Sequence, residues 1–118
     1  MSGRVFVVQE VLRRDADGEL RPAHDLTPAA AHGELELLLS WRTSVMSPAP
    51  MVHELRRKLR GFCNEDSILA VGDPVAIGAA VAVAVMENAG KAAVLKWNRE
   101  TRSYIKVRLD LFPRPGAE

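Results

Sequence analysis

The chain has 118 residues, of which 47% are apolar, and a net charge of +1. That length and composition are typical of one folded domain with a modest core, and near-neutrality excludes a global attraction to nucleic acid. A single cysteine, Cys63, excludes an internal disulfide and makes a cytoplasmic setting the expectation.

Arg4–Leu12, rich in Val and Phe, reads as a first strand. Met1-Ser2-Gly3-Arg4 runs straight into it, so no secretory signal is expected there. Asp15-Ala16-Asp17-Gly18 is a turn signal, after which Glu19–Arg21 can return as the short arm of a hairpin. Thr27-Pro28 begins a brief helical turn through Ala31, stopped by Gly33. Glu34–Ser40 first alternates and then becomes fully apolar, as a strand entering a core does, and its expected partner is the first strand.

Trp41–Pro50 is a loop containing Pro48 and Pro50. Met51–Phe62 is an amphipathic helix, because Val52, Leu55, Leu59 and Phe62 share one face while His53 and the basic residues take the rest. Ile68–Val71 is short and apolar enough for a buried strand. Asp73 is placed to cap the next helix and Pro74 to open it, whereas Gly90 is placed to end it in a left-handed conformation. No charge interrupts Pro74–Met86, so this helix is expected to be buried on nearly all sides. Its rival is a pair of strands, since Val81, Val83 and Val85 alternate with alanines; alanine's helix propensity and the capping signals favour the helix.

Ala92–Trp97 reads as the next strand, which makes Ile68–Trp97 a strand–helix–strand unit with parallel strands. Asn98–Ser103 is a polar hairpin turn. In the following strand Ile105, Val107, Leu109 and Leu111 are expected to face in, and Tyr104, Lys106, Arg108 and Asp110 out. The expected fold is α+β: a mixed four- to five-stranded sheet with two main helices on one face, a strand–helix–strand unit and a C-terminal hairpin. It spans 1–111 as a single domain, followed by a Pro-rich tail, 112–118, expected to fray. A free sheet face or edge would then remain for another chain.

The residue constellations argue against familiar chemistry. His24, His32 and His53 are dispersed and, with one cysteine, offer no zinc-ligand spacing, so no metal site is expected. Asp15 and Asp17 start like a calcium loop but lack its remaining ligands. Gly72-Asp73-Pro74…Gly78 matches neither glycine-rich phosphate pattern, and Asp73 would repel a phosphate. Cys63 and His53, if on one helix, would lie about 80° and about 15 Å apart, too far for a nucleophile and its base. No catalytic residue and no cofactor are therefore expected.

Charge is unevenly distributed: residues 50–62 are net +3 and 91–110 net +4, against −2 for 1–49 and −4 for 63–90. Arg56, Arg57, Lys58 and Arg60 can contact phosphates, and Lys96, Lys106 and Arg108, with Tyr104 to stack on a base, can form a basic strand face. The two stretches fail to merge if the helix covers one sheet face and the strand residues leave the other. An acidic protein surface would fit the same side chains. Trp41, in the proline-containing loop, is the candidate interface anchor, while Trp97 at a strand end is expected in the core.

Arg4-Val-Phe-Val-Val-Gln-Glu10, Asp25-Leu-Thr-Pro28, Ser47-Pro-Ala-Pro50, Val71-Gly-Asp-Pro-Val-Ala-Ile-Gly-Ala-Ala80 and Leu95-Lys-Trp97 resemble segments of small proteins encoded by tailed phages and prophages of Proteobacteria. The resemblance implies a mobile-element origin and action in the host cytoplasm; it carries no catalytic residues. In that setting the reading is a small non-enzymatic binding protein that covers a host protein with an acidic surface, for example a defence or transcription complex. Alternatives are a nucleic-acid-binding accessory protein and an enzyme with an unfamiliar site using His24, Asp25 or His53. A homodimer is a further expected form; a membrane partner is not expected.

Overall fold

The computed structural model describes residues 3–115. In chain order these form β1 (Arg4–Gln9), β2 (Leu12–Arg14), β3 (Leu20–Pro22), a short 3-10 helix (Thr27–His32), β4 (Glu34–Leu39), α1 (Pro48–Lys58), β5 (Ser67–Leu69), α2 (Pro74–Glu87), β6 (Lys91–Asn98) and β7 (Ser103–Asp110). The main sheet has five strands in the order β4-β1-β5-β6-β7. Its first four are mutually parallel, and β7 returns antiparallel to β6. This is the α+β architecture expected from the sequence, with β5 and β6 direct neighbours joined by α2 and a C-terminal hairpin. The first strand stops earlier than its composition suggests. After Gln9 the chain leaves the sheet, and β2 pairs with β3 as a separate two-stranded ribbon about the Asp15–Gly18 turn.

Local signals explain the helix boundaries. α1 starts at Pro48 rather than Met51, because prolines in a first turn remove only amides that have no helical partner. Its buried stripe is Met51, Leu55, Leu59 and Phe62, with Val52 at the margin. At α2 the Asp73 carboxylate accepts from the Val75 amide at 2.8 Å, and Pro74 follows as the first helical residue. α2 stops at Glu87, three residues before Gly90, and the left-handed turn is made by Ala89 (φ +54°) and Gly90 (φ +87°), where a Cβ on Gly90 would stand 2.5 Å from the Phe112 ring. The Phe112 ring thus lies against Gly90 but is 75% exposed, at the start of the tail expected to fray; residues 116–118, and Met1 and Ser2, lie outside the described residues.

Two cores sandwich the sheet. On one face Phe6, Val8, Leu38 and Ile68 meet the stripe of α1 and the alanines Ala76, Ala80 and Ala84 of α2. Each large side chain buried this way contributes about 1.5–3 kcal/mol. On the other face Val5, Val7, Leu69, Leu95 and Tyr104 pack beneath Ala29 of the 3-10 helix. The distribution of cover over the two faces corrects three expectations. The face opposite the helices is covered at its centre, with Leu35 and Leu37 of β4 still exposed on it, so the open surface expected there is mainly the β7 edge. Tyr104, expected to point out to solvent, is 8% exposed. Ile105 and Val107, expected to be core, are 41% and 40% exposed, because they lie on the helix-bearing face at the outer strand, beyond α2. A fourth correction concerns α2. Its outer face is open, with Val75 and Met86 exposed, since nothing among the described residues forms a layer above it.

At the amino end of the sheet Asp66 is buried and accepts from the Arg4 amide at 2.9 Å, the Arg4 guanidinium at 3.1 Å and the Cys63 amide at 3.1 Å. Burial alone would raise its pKa; the Arg4 and Cys63 hydrogen bonds outweigh that and hold the carboxyl below its ordinary value.

Candidate functional site

Parallel strands place their carboxyl ends on one rim, and a crevice opens there where neighbouring strands send their connections to opposite faces. β1 and β5 are such a pair. The chain after β1 leads to the 3-10 helix on one face, and the chain after β5 enters α2 on the other. The rim also carries the loop after β4, which holds Trp41, the end of β6, which holds Trp97, and the amino ends of both α-helices.

Gln9, at the end of β1, fastens this rim. Its amide nitrogen donates to the Ser40 carbonyl at 3.4 Å and the Thr43 carbonyl at 3.2 Å, and its amide oxygen accepts from the Asp73 amide at 3.0 Å. One buried side chain thus ties the β4–α1 loop to the start of α2. Gly72 (φ +117°) lets the chain pass close to it, since a Cβ there would meet the Gln9 Cβ at 2.5 Å. The loop so held presents Trp41, 41% exposed, with the Arg42 guanidinium 5.1 Å from its ring centroid, and Met46, 86% exposed. Gln9 was not among the residues read as functional from the sequence. The only signal was a lone amide closing an otherwise apolar strand, Arg4-Val-Phe-Val-Val-Gln9.

Beneath the β3–β4 connection an open cleft of about 600 Å³ is lined by His24, Asp25, Val71, Leu95, Trp97 and Tyr104, among others. Trp97 is half exposed at its mouth, not core as expected, and meets Tyr104 edge-on with ring centroids 5.0 Å apart. The Asp25 carboxylate accepts from the Thr27 amide at 3.0 Å, and its hydrogen bonding to Thr27 lowers its pKa. Asp25 is therefore engaged in shaping the turn into the 3-10 helix. Burial, with a smaller effect of the Asp25 charge, raises the Tyr104 phenol. Trp41 follows β4, which lies three strands across the sheet from β6 and its Trp97.

The remaining sequence candidates are scattered. His53 is exposed on α1, on the other face of the sheet from His24. His32 places its Nε2 3.0 Å from the Tyr104 carbonyl oxygen. Cys63 lies beyond the end of α1, so the helical spacing to His53 does not apply. The Glu65 amide favours the Cys63 thiolate, but the Glu65 and Asp66 carboxylates to which the thiol donates, together with burial, outweigh it and raise the thiol pKa. That is the reverse of nucleophile activation. Among the described residues no three His, Cys, Asp or Glu side chains converge as a metal site, and no helix is long and apolar enough to cross a membrane.

The basic residues form no single surface. Arg57 pairs with Glu54, and Lys58 reaches Glu54 at 3.5 Å while donating to the Leu38 carbonyl at 2.8 Å; among the described residues Arg56 and Arg60 make no ion pair. These sit at the far end of α1, about 16 Å from the rim. Lys96 lies on the helix-bearing face, whereas Lys106 and Arg108 lie on the opposite face and line a second hollow with His32 and Glu65. Tyr104, buried under the 3-10 helix, is not presented to a base.

Residues 3–111 match the family model described as Phage Pam3 gp32-like protein, and the chain belongs to that family. The kinship with small phage proteins implied by the sequence resemblance is thereby shown. No curated protein and no solved structure matches the chain.

Proposed function

We propose that this phage-family protein works by binding a protein of its host in the host cytoplasm, without chemistry of its own, and that the carboxyl rim is the docking surface. The observation that carries this reading is the Trp41–Arg42–Met46 loop clamped by Gln9. Trp, Arg and Met are among the residue types enriched in interfaces. A clamped loop also loses less conformational entropy on binding than a free one. Arg42 fits an acidic group on the partner, and the cleft beside Trp97 can receive one inserted apolar side chain. A defence or transcription complex is the kind of target that fits a phage context.

The test is recovery of partners from host lysate by the tagged protein, with and without nuclease, comparing the parent with Trp41→Ala. A stoichiometric protein partner that survives nuclease and is retained roughly 30-fold or more less well by Trp41→Ala supports the reading. Equal retention by Trp41→Ala and by Gln9→Ala removes the rim from it. Recovery that disappears with nuclease and with Arg56→Glu/Arg60→Glu replaces it by the nucleic-acid reading.

A further inference from the structure

The outer edge of β7 holds a second interaction surface. Across the hairpin the Leu111 amide donates to the Gly90 carbonyl at 2.9 Å, and the register pairs Lys91 with Asp110. Hydrogen bonding alternates along an antiparallel pair. Odd-numbered residues of β7 therefore turn their backbone groups to β6, and Tyr104, Lys106, Arg108 and Asp110 turn theirs to the open edge. The His32 ring on the Tyr104 carbonyl agrees with this alternation and occupies that one position. Lys106, Arg108 and Asp110 remain, and among the described residues no strand pairs with them.

We infer that β7 pairs with β7 of a second copy, antiparallel and centred on Arg108, to give one continuous sheet across a two-fold axis. Two observations select this partner and register. Centring on Arg108 sets Lys106 of each copy opposite Asp110 of the other, while Val107 meets Leu109 and Ile105 meets Leu111. Centring on Val107 would set Lys106 against Arg108 twice and would need the Tyr104 carbonyl that His32 occupies. The chosen register uses all three free residues, for about six backbone hydrogen bonds. It also covers the apolar strip that α2 leaves bare: Ile105, Val107 and Leu111 are all exposed. The Asp110 carboxylate uses Oδ1 to accept from the Phe112 amide, which leaves Oδ2 for the partner's lysine. The opposing cost is Arg108 against its own copy, with Glu65 lining the same hollow.

The test uses the full chain alone, by sedimentation equilibrium, and so is independent of any host partner. The parent is expected to dimerise. Lys106→Glu and Asp110→Lys each place like charges opposite one another twice and are expected to weaken the dimer about tenfold or more. The double swap, Lys106→Glu with Asp110→Lys, restores it, and Arg108→Gln tightens it. In a Cys63→Ser background, Arg108→Cys cross-links to its own copy on oxidation, since hydrogen-bonded partners have Cα atoms about 5.5 Å apart. Lys106→Cys does not, because its copy lies about 13 Å away. A monomer at every concentration, a dimer indifferent to both reversals, or cross-linking through Lys106→Cys but not Arg108→Cys overturns the inference.

Discussion

At one edge of the sheet, β4 runs under α1: Leu38 and Leu39 are buried, and the Lys58 ammonium donates to the carbonyls of Leu37 and Leu38. At the other edge, β7 has α2 beside it rather than over it, and its Ile105 and Val107 are exposed on the very face that α1 covers at β4. Both are edge strands, but β4 turns Glu34, Glu36 and Leu38 toward the helix layer and Leu35 and Leu37, 36% and 41% exposed, to the other face, whereas β7 turns Ile105 and Val107 toward the helices. The difference is one of helix supply, because two helices span a five-stranded sheet. An edge strand is a template for another chain unless it is covered or charged. β4 is both. β7 carries Lys106 and Arg108 on one face only, which leaves its other face and its backbone available.

The comparison is broken most severely from the covered side. Leu55→Ala should lower stability by about 2–5 kcal/mol in urea denaturation, because Leu55 is fully buried between α1 and the sheet. Val107→Thr, at a residue 40% exposed on the bare edge, should change the stability of the monomer by no more than about 0.5 kcal/mol. Similar losses at both sites would mean that β7 is covered after all.

Acid separates the strength of the frame from that of its edges. The Asp66 carboxyl is held below its ordinary value, so its stabilising contribution is complete above the unfolded-state pKa and is lost as pH falls through the lowered folded value. Asp66→Asn should be less stable at neutral pH and should show a shallower loss of stability at acid pH. A parallel pair of stability–pH curves would remove Asp66 from the acid response.

Lys58→Met sharpens the contrast with the smallest effect. It removes the donor on the β4 carbonyls while keeping the apolar stem, and should cost about 1 kcal/mol. It should also make β4 a second open edge, detectable as association beyond a dimer at high protein concentration. No change in association would assign the protection of β4 to α1 alone.

Much of this architecture was legible in the chain. Asp73-Pro74 at the start of α2 and Gly90 in the left-handed turn after it, the Asp15–Gly18 turn, the Thr27-Pro28 segment and the Asn98–Ser103 hairpin are signals that act within a few residues, and each appears where expected. The phage family was legible for the same reason, in contiguous segments of sequence. The candidate site was much less so. Trp41 could be read as an exposed loop aromatic, but Gln9 could not be read as its anchor, since Ser40, Thr43 and Asp73 are brought to it only by folding. Whether the two basic stretches meet was left to the fold, which disperses them over two faces and the end of a helix.

The alternation of Tyr104–Leu111 shows where the division falls. It determined that Ile105, Val107 and Leu109 share one face and Tyr104, Lys106 and Arg108 the other, because a strand turns each successive side chain to the opposite side. It could not determine which face is wet. That depends on what packs across the strand: the 3-10 helix reaches β7 on the Tyr104 side, and α2 stops short on the other. Local pattern extends over a turn or a strand, whereas coverage is decided between elements far apart in sequence, and so the open edge of this protein was settled only by its tertiary structure.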